Sequence, residues 1–115
     1  MTDPHSDVVQ GTLDLLVLKT LSLEPMHGWG ISLRLRDLSG DVFAVNQGSL
    51  YPALQRMQSR GWLSASWRLT DNNRRARYYS LTKAGERQLA THMAEWRRSS
   101  QAVDRVLASL LPSRA

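Results

Sequence analysis

Apolar residues recur every three or four positions in three stretches of the first half of the chain. The positions with this helical spacing are Leu13, Leu16, Val17 and Leu21, then Ile31, Leu35 and Leu38, then Leu50, Leu54 and Met57. The spacing predicts three amphipathic helices, over residues 8–23, 28–39 and 47–60. We expect these positions to form the core, and residues 1–7, which offer nothing to bury, to form a disordered tail.

The residues at the ends of these stretches have the chemistry of helix termini. His27 stands at the start of the second helix. Asn46 or Ser49 can cap the third, because short polar side chains accept hydrogen bonds from first-turn N–H groups. Gly40 and Gly61 suit the left-handed backbone that often ends a helix. The second and third helices are therefore bounded at both ends.

The pattern changes to a period of two after Gly61. Apolar and polar residues alternate from Leu63 to Leu69, which predicts a half-buried strand with Trp67 and Leu69 on its inner face. Residues 70–73 have turn chemistry, and residues 77–81 contain enough aromatic side chains for a return strand. The pair forms a hairpin with an extended, arginine-rich tip.

A seven-residue repeat follows Thr82, which is placed to cap a helix from Lys83 to about Leu111, ended by Pro112. The seam of this repeat consists of Leu89, Met93, Trp96, Ser100, Val103, Leu107 and Leu110. Such a seam packs either on its own domain or on a second helix. We favour a partner helix, because the seam continues past the point that a core of three helices and a hairpin can cover.

The composition of the chain argues against several classes of protein. A chain of 115 residues has room for one domain with at most one extra helix. It has no cysteine, its three histidines lack metal-ligand spacing, and no apolar run is long enough for a membrane span. No acid pair, nucleophile–base arrangement or glycine-rich phosphate loop is found. We expect a cytoplasmic protein that is not an enzyme, with no cofactor, metal site or membrane partner.

Charge is concentrated in one segment. Residues 55–79 contain six arginines and one aspartate, a net +5 that equals the formal charge of the whole chain. A basic patch on a helix and hairpin is typical of a surface that binds a polyphosphate. The expected partner is double-stranded DNA.

The element order predicts a mainly α (α+β) fold, a winged helix-turn-helix with a two-stranded wing. Its third helix would enter the major groove and its wing would follow the backbone. We assign residues 8–81 to the DNA-binding domain and residues 82–115 to a C-terminal dimerisation helix. The candidate DNA contacts are Gln47, Ser49, Tyr51, Gln55, Arg56, Arg74, Arg75 and Arg77. The candidate dimer contacts are Leu89, Met93, Trp96, Val103, Leu107 and Leu110.

An ordered set of motifs resembles the PadR family of bacterial transcriptional regulators, over about residues 11–107. The matching segments are residues 11–18 (GTLDLLVL), 27–31 (HGWGI), 47–54 (QGSLYPAL), 61–63 (GWL) and 77–82 (RYYSLT). Residue 29 is Trp where Tyr is expected, and residues 57–58 are Met-Gln where Leu-Glu is common. We expect Trp29 to remain in the core.

The resemblance implies a bacterial, nucleoid-associated homodimeric repressor on an inverted-repeat operator, released by a ligand in some cases. The single C-terminal helix is similar to the smaller branch of the family, in which that helix mediates dimerisation. In some family members of this size a tryptophan of this helix lines a drug-binding cavity between subunits. For Trp96 this implies a binding site for an aromatic small-molecule effector, beside the simpler role of a dimer-core residue.

Alternatives remain open for single residues and for the function of the whole chain. Tyr51 would contact a phosphate or pack between helices, and Arg74 and Arg75 would contact DNA or form a solvated turn. The chain would act mainly as a DNA-binding repressor or mainly as a small-molecule sensor centred on Trp96. A wing that binds an acidic protein is the third possibility.

Overall fold

The computed structural model describes the backbone of residues 4–110 and the side chains of residues 11–110. Its helices are α1 (Pro4–Leu23), α2 (Gly28–Leu38), α3 (Gln47–Ser59) and α4 (Lys83–Ala108). Its strands are β1 (Met26–His27), β2 (Leu63–Leu69) and β3 (Arg75–Leu81), in the antiparallel order β1-β3-β2. The predicted fold class, a mainly helical winged helix-turn-helix with a long C-terminal helix, is confirmed.

The helix starts follow from local capping. The side chains of His27, Asn46 and Thr82 each accept a hydrogen bond from a backbone N–H three residues later, at 3.0, 2.8 and 3.0 Å. Gly61 has a φ of +80° just after α3, a backbone that glycine adopts without steric cost. The predicted turn at residues 70–73 also forms, closed by a 2.8 Å bond from the Thr70 N–H to the Arg74 carbonyl.

The core lies where α1, α2 and α3 meet the root of the sheet. Its fully buried side chains include Val17, Leu18, Ile31, Leu50, Leu54 and Met57. Only the first turns of α4 reach this core, where Gly85 and Leu89 are buried. The rest of α4 leaves the domain, which explains overall dimensions of 68 × 30 × 28 Å.

The element bounds differ from the sequence expectations by more than one residue in four places. α1 begins at Pro4, so residues 4–7 of the expected tail are helical, since proline fits the first helical position. Residues 1–3 lie outside the described residues. β3 begins at Arg75, opposite Leu69, two residues earlier than expected. β1 has no counterpart in the sequence analysis, because two residues are too few to show a period.

α4 ends at Ala108, short of the expected Leu111, because Ser109 adopts an extended backbone and its hydroxyl donates to the Arg105 carbonyl at 2.8 Å. Leu110 therefore lies beyond the helix, and Pro112 lies outside the described residues.

Four apolar side chains expected inside the protein are exposed. Trp29 is 59% exposed, Leu38 61%, Trp67 56% and Leu69 62%. Trp29 and Leu38 lie in the first and last turns of α2, beyond the reach of the helices packed on its centre. Trp67 and Leu69 have the predicted strand direction, but the hairpin projects past the core, so nothing in the described residues covers its inner face there. The expectation that these four are core residues was wrong.

Candidate nucleic-acid interface

The rotation of α3 is set by its buried side. Leu50, Leu54 and Met57 are fully buried against α1, α2 and the sheet. The helical period then turns Tyr51 and Gln55 outward, and both side chains are exposed. The outer face of α3 is therefore polar and aromatic at its N-terminal half.

Tyr51 packs on the start of α2 and also reaches the surface. A methyl group placed on Gly28 would come within 2.8 Å of the Tyr51 hydroxyl oxygen, so the absence of a side chain at Gly28 makes room for the ring. The Tyr51 side chain nevertheless stays 44% exposed. The two roles considered for Tyr51 are compatible, since one part of the ring packs between helices while another faces solvent.

The wing carries its arginines on the face that continues from the core. Trp67 pairs with Arg77 across the hairpin, and Arg75 lies two residues along on the same face. The guanidinium carbons of Arg75 and Arg77 are 5.2 and 5.8 Å from the centroid of the Trp67 ring. These distances fit cation–π contacts. Arg77 is thus turned to the inner face of the wing, and not away from it.

A groove of about 630 Å³ separates this face of the wing from the starts of α2 and α3. The groove brings together four of the predicted DNA contacts: Tyr51, Arg74, Arg75 and Arg77. No carboxylate is found among its lining side chains. A concave surface with three guanidiniums and no opposing charge attracts phosphate groups. We call this surface the wing groove.

Tyr79 closes the wing groove on its inner side and is 3% exposed. Burial raises the pKa of the Tyr79 hydroxyl, and the neighbouring Arg77 acts in the opposite direction. The phenol is therefore neutral at physiological pH and adds no negative charge to the groove.

Two of the predicted DNA contacts have hydrogen-bond partners inside the domain. Arg56 donates a 2.5 Å hydrogen bond to the Asp14 carboxylate, and its side chain is only 26% exposed. The Gln47 side-chain NH₂ donates to the Ser32 hydroxyl at 2.8 Å, and its amide oxygen is buried. Both side chains are only partly exposed. These side chains connect α3 to α1 and to α2, respectively.

The remaining predicted residues lie away from the wing groove. Gln55 is exposed on α3, and Ser49 lines a second cleft of about 480 Å³ with Leu13, Phe43 and Trp96.

Along the α4 seam, Leu89 is buried and Met93 is partly buried. Beyond them exposure rises, from 49% at Trp96 and 54% at Val103 to 78% at Leu107 and 89% at Leu110. The distal half of the seam packs on nothing in the described residues.

Sequence reasoning missed three residues of this region. Trp29 and Trp67 line the wing groove, although both were expected in the core. Asp14 was not singled out, although it is 7% exposed and anchors Arg56. The available sequence signal was the position of Trp67, a few residues before the arginine-rich tip.

Within the described part of the chain, no three acidic, histidine or cysteine side chains are grouped closely enough to hold a metal ion. None of the described helices is both long enough and apolar enough to cross a lipid bilayer.

The chain is similar to known transcriptional regulators in sequence and in structure. Residues 17–91 match the Transcriptional regulator PadR-like family. A PadR family transcriptional regulator from Eggerthella lenta DSM 2243 is similar with 29% identity and a TM-score of 0.77, over 90% of this chain and 88% of that one. A transcriptional regulator from Clostridium thermocellum shares the fold with 22% identity and a TM-score of 0.78, over 86% and 96% of the two chains.

An uncharacterized protein from Lysinibacillus sphaericus is 23% identical over 100 residues, which cover 87% of this chain and 92% of that protein. The family match spans well over half of the chain and includes α3, the wing and the root of α4. The chain therefore belongs to the PadR-like family of transcriptional regulators, and is a DNA-binding regulator and not an enzyme.

Proposed function

We propose that this regulator is a homodimeric repressor that occupies an inverted-repeat operator in double-stranded DNA. The observation that carries the proposal is the wing groove, which combines three arginines with no carboxylate beside the exposed N-terminal half of α3. Residues 8–81 would bind one half-site. Such a protein would act on the nucleoid in the bacterial cytoplasm, where occupancy of an operator is enough to block transcription.

The bare distal seam of α4 supports a dimer. The seam residues Val103 and Leu107 are 54 and 78% exposed, and Val106 beside them is 71% exposed, so an apolar stripe lies in water at a cost in free energy. A second copy of α4, repeating the same spacing, supplies a matching stripe. Two-fold pairing through residues 82–115 would present two wing grooves to the two halves of an inverted repeat.

Binding of the DNA upstream of the chain's own coding sequence tests the proposal, because bacterial regulators frequently control their own neighbourhood. If each dimer neutralises roughly eight phosphates, log K should fall against log salt with a slope of about −7. In a transcription assay on that template, the protein should lower the amount of transcript. An increase in transcript would contradict repression while leaving DNA binding intact.

The double variant Arg74→Ala/Arg75→Ala should weaken binding to every duplex and flatten the salt slope by about 3 to 4 units, since a dimer loses four charges. A matched control is Arg98→Ala/Arg105→Ala, which removes the same charge from exposed positions on α4 outside the seam. Unchanged duplex binding in the wing variant would remove the wing from the interface. Changes of Gln55 should instead alter the preference among operators.

A second function, sensing of an aromatic small molecule, is favoured by the cleft beside Trp96. This half-exposed indole shares an apolar-walled space of about 480 Å³ with Leu16, Val42 and Phe43. A planar aromatic or cationic compound that enters the cleft should quench tryptophan fluorescence, and Trp96→Phe should abolish that part of the signal. Absence of quenching across a diverse panel would leave Trp96 as a packing residue of the dimer.

A further inference from the structure

Trp67 is a large apolar side chain in the most basic part of the protein. It is 56% exposed on β2, and with Trp29 and Tyr51 it forms a group of exposed aromatic side chains of the kind that marks an interaction surface. Its strand position is not needed for the core, because the hairpin root at Leu63 and Tyr79 already closes it. The reason for a tryptophan at this position must therefore lie in what surrounds the indole.

Two guanidinium groups lie beside the Trp67 indole. Arg77 faces Trp67 across the hairpin, and Arg75 lies diagonally from it, with guanidinium carbons 5.8 and 5.2 Å from the ring centroid. A flexible arginine loses conformational entropy when it binds a phosphate, and contact with a planar ring removes part of that loss beforehand. The indole thus holds both cations over the wing groove before any ligand arrives.

The opposite wall of the wing groove is also aromatic. Trp29 and Tyr51 line it, from the first turn of α2 and from α3. A DNA strand alternates anionic phosphates with apolar deoxyribose rings. The groove presents guanidiniums for the first and aromatic surfaces for the second, and none of its lining residues carries a negative charge.

We propose that Trp67 is a positioning residue that holds Arg75 and Arg77 for one sugar–phosphate strand of duplex DNA seated in the wing groove. This inference rests on the proposed operator binding and specifies how the wing contributes to it. Trp67 acts through the two arginines. An aromatic ring is therefore required at position 67, whereas apolar bulk or strand propensity alone is not enough.

The test compares Trp67→Phe, which keeps a ring, with Trp67→Leu and Trp67→Thr, which keep apolar bulk and strand propensity, respectively. Affinity for the upstream duplex should stay within about threefold of the parent for Phe and fall about tenfold or more for Leu and Thr. Thermal unfolding should be similar in all variants, because the side chain is outside the core. Equal affinity of the Leu, Thr and parent proteins would overturn the proposal.

A double-mutant cycle separates positioning from direct contact. In an Arg75→Ala/Arg77→Ala background, Trp67→Leu should cause no further loss of affinity, because the groups it positions are gone. A further loss of the same tenfold size would show that the indole itself contacts DNA, and would overturn the positioning role. Should the Leu variant fail to fold, the same cycle is run with Trp67→Thr.

Failure of the proposed operator binding and failure of the proposed role of Trp67 would give different experimental results. If the unmodified protein binds no duplex at low salt, the proposed operator binding is wrong. If it binds, with the expected salt dependence, but every position 67 variant binds equally well, only the role of Trp67 is wrong. Arg68→Ala serves as the matched wing control, since Arg68 stacks on Tyr78 on the other face of the hairpin and does not line the wing groove.

Discussion

The guanidinium of Arg56 on α3 donates a 2.5 Å hydrogen bond to the carboxylate of Asp14 on α1. Asp14 is 7% exposed, and the Arg56 side chain is 26% exposed, so the pair is mostly shielded from water. The contact connects α3 to α1, the helix that packs against α4. It holds α3 against α1 through an arginine that the sequence also predicts as a DNA contact.

Asp14→Ala should lower the free energy of unfolding by about 1–3 kcal/mol, because the shielded Arg56 guanidinium loses its hydrogen-bond acceptor. Urea denaturation measures the change. Glu24→Ala is the matched control, since the 2.6 Å pair of Glu24 and Arg34 has side chains 55 and 39% exposed. Exposed pairs contribute about 0–1 kcal/mol. Equal losses in the two variants would show that shielding adds nothing to the Asp14–Arg56 pair.

The same carboxylate should give the protein a distinct pH dependence. Burial raises the pKa of Asp14 above its ordinary value, while the charge and hydrogen bond of Arg56 lower it by less. The folded state then keeps the proton to higher pH than the unfolded chain does. The stability from this site is present below the ordinary aspartate pKa and declines as pH rises through the raised folded pKa.

Denaturation at a series of acidic pH values, with Asp14→Asn as reference, measures this dependence. The difference in unfolding free energy, parent minus variant, should decrease as pH rises. A difference that increases with pH would mean that attraction to Arg56 outweighs the cost of burial.

Gly85→Ala should destabilise the protein by about 1–3 kcal/mol, because the added methyl group collides with the Trp62 carbonyl and the Leu81 side chain. The collision lies where α4 is docked on the domain, beside the contact of the Trp62 and His92 rings at 5.9 Å. Gly11→Ala on α1 is the control, since a methyl group there meets no atom within 4 Å. It should stabilise its helix by up to about 1 kcal/mol. A stabilising Gly85→Ala would contradict the close approach.

Leu107→Asp should convert the proposed dimer to a monomer, raising its dissociation constant by at least about 100-fold. The fold should persist, since Leu107 is 78% exposed in the single chain. Light scattering across a concentration series measures the state. Ala102→Asp places the same charge outside the seam and should leave the dimer intact. A parent protein that is monomeric at micromolar concentration would contradict the seam interpretation.

Local chemistry made several elements predictable. Side chains at His27, Asn46 and Thr82 reach only three residues ahead, so the starts of α2, α3 and α4 depend on the neighbouring sequence. The period of two from Leu63 to Leu69 likewise needs no distant partner to define a strand. The motifs around residues 47–54 belong to the segment that carries the family match.

The environments of other side chains depend on which distant segment packs beside them. The sequence around Arg56 does not distinguish it from an exposed arginine, because its partner Asp14 is 42 residues away. Trp67 lies on the side of β2 that alternation assigns to the core, yet the hairpin projects past the core, so the indole meets Arg75 and Arg77 instead. A period reports the direction of a side chain and not the distance over which the core extends.

The sequence by itself determined the order of the elements, their caps, the alternation of the hairpin and the heptad of α4, because each of these depends on residues within a few positions. Only the tertiary structure decided which side chains form the wing groove and which are tied into the domain. Those outcomes depend on where helices end and how far the hairpin and α4 extend beyond the core. Packing between distant segments sets these distances, and no local pattern records them.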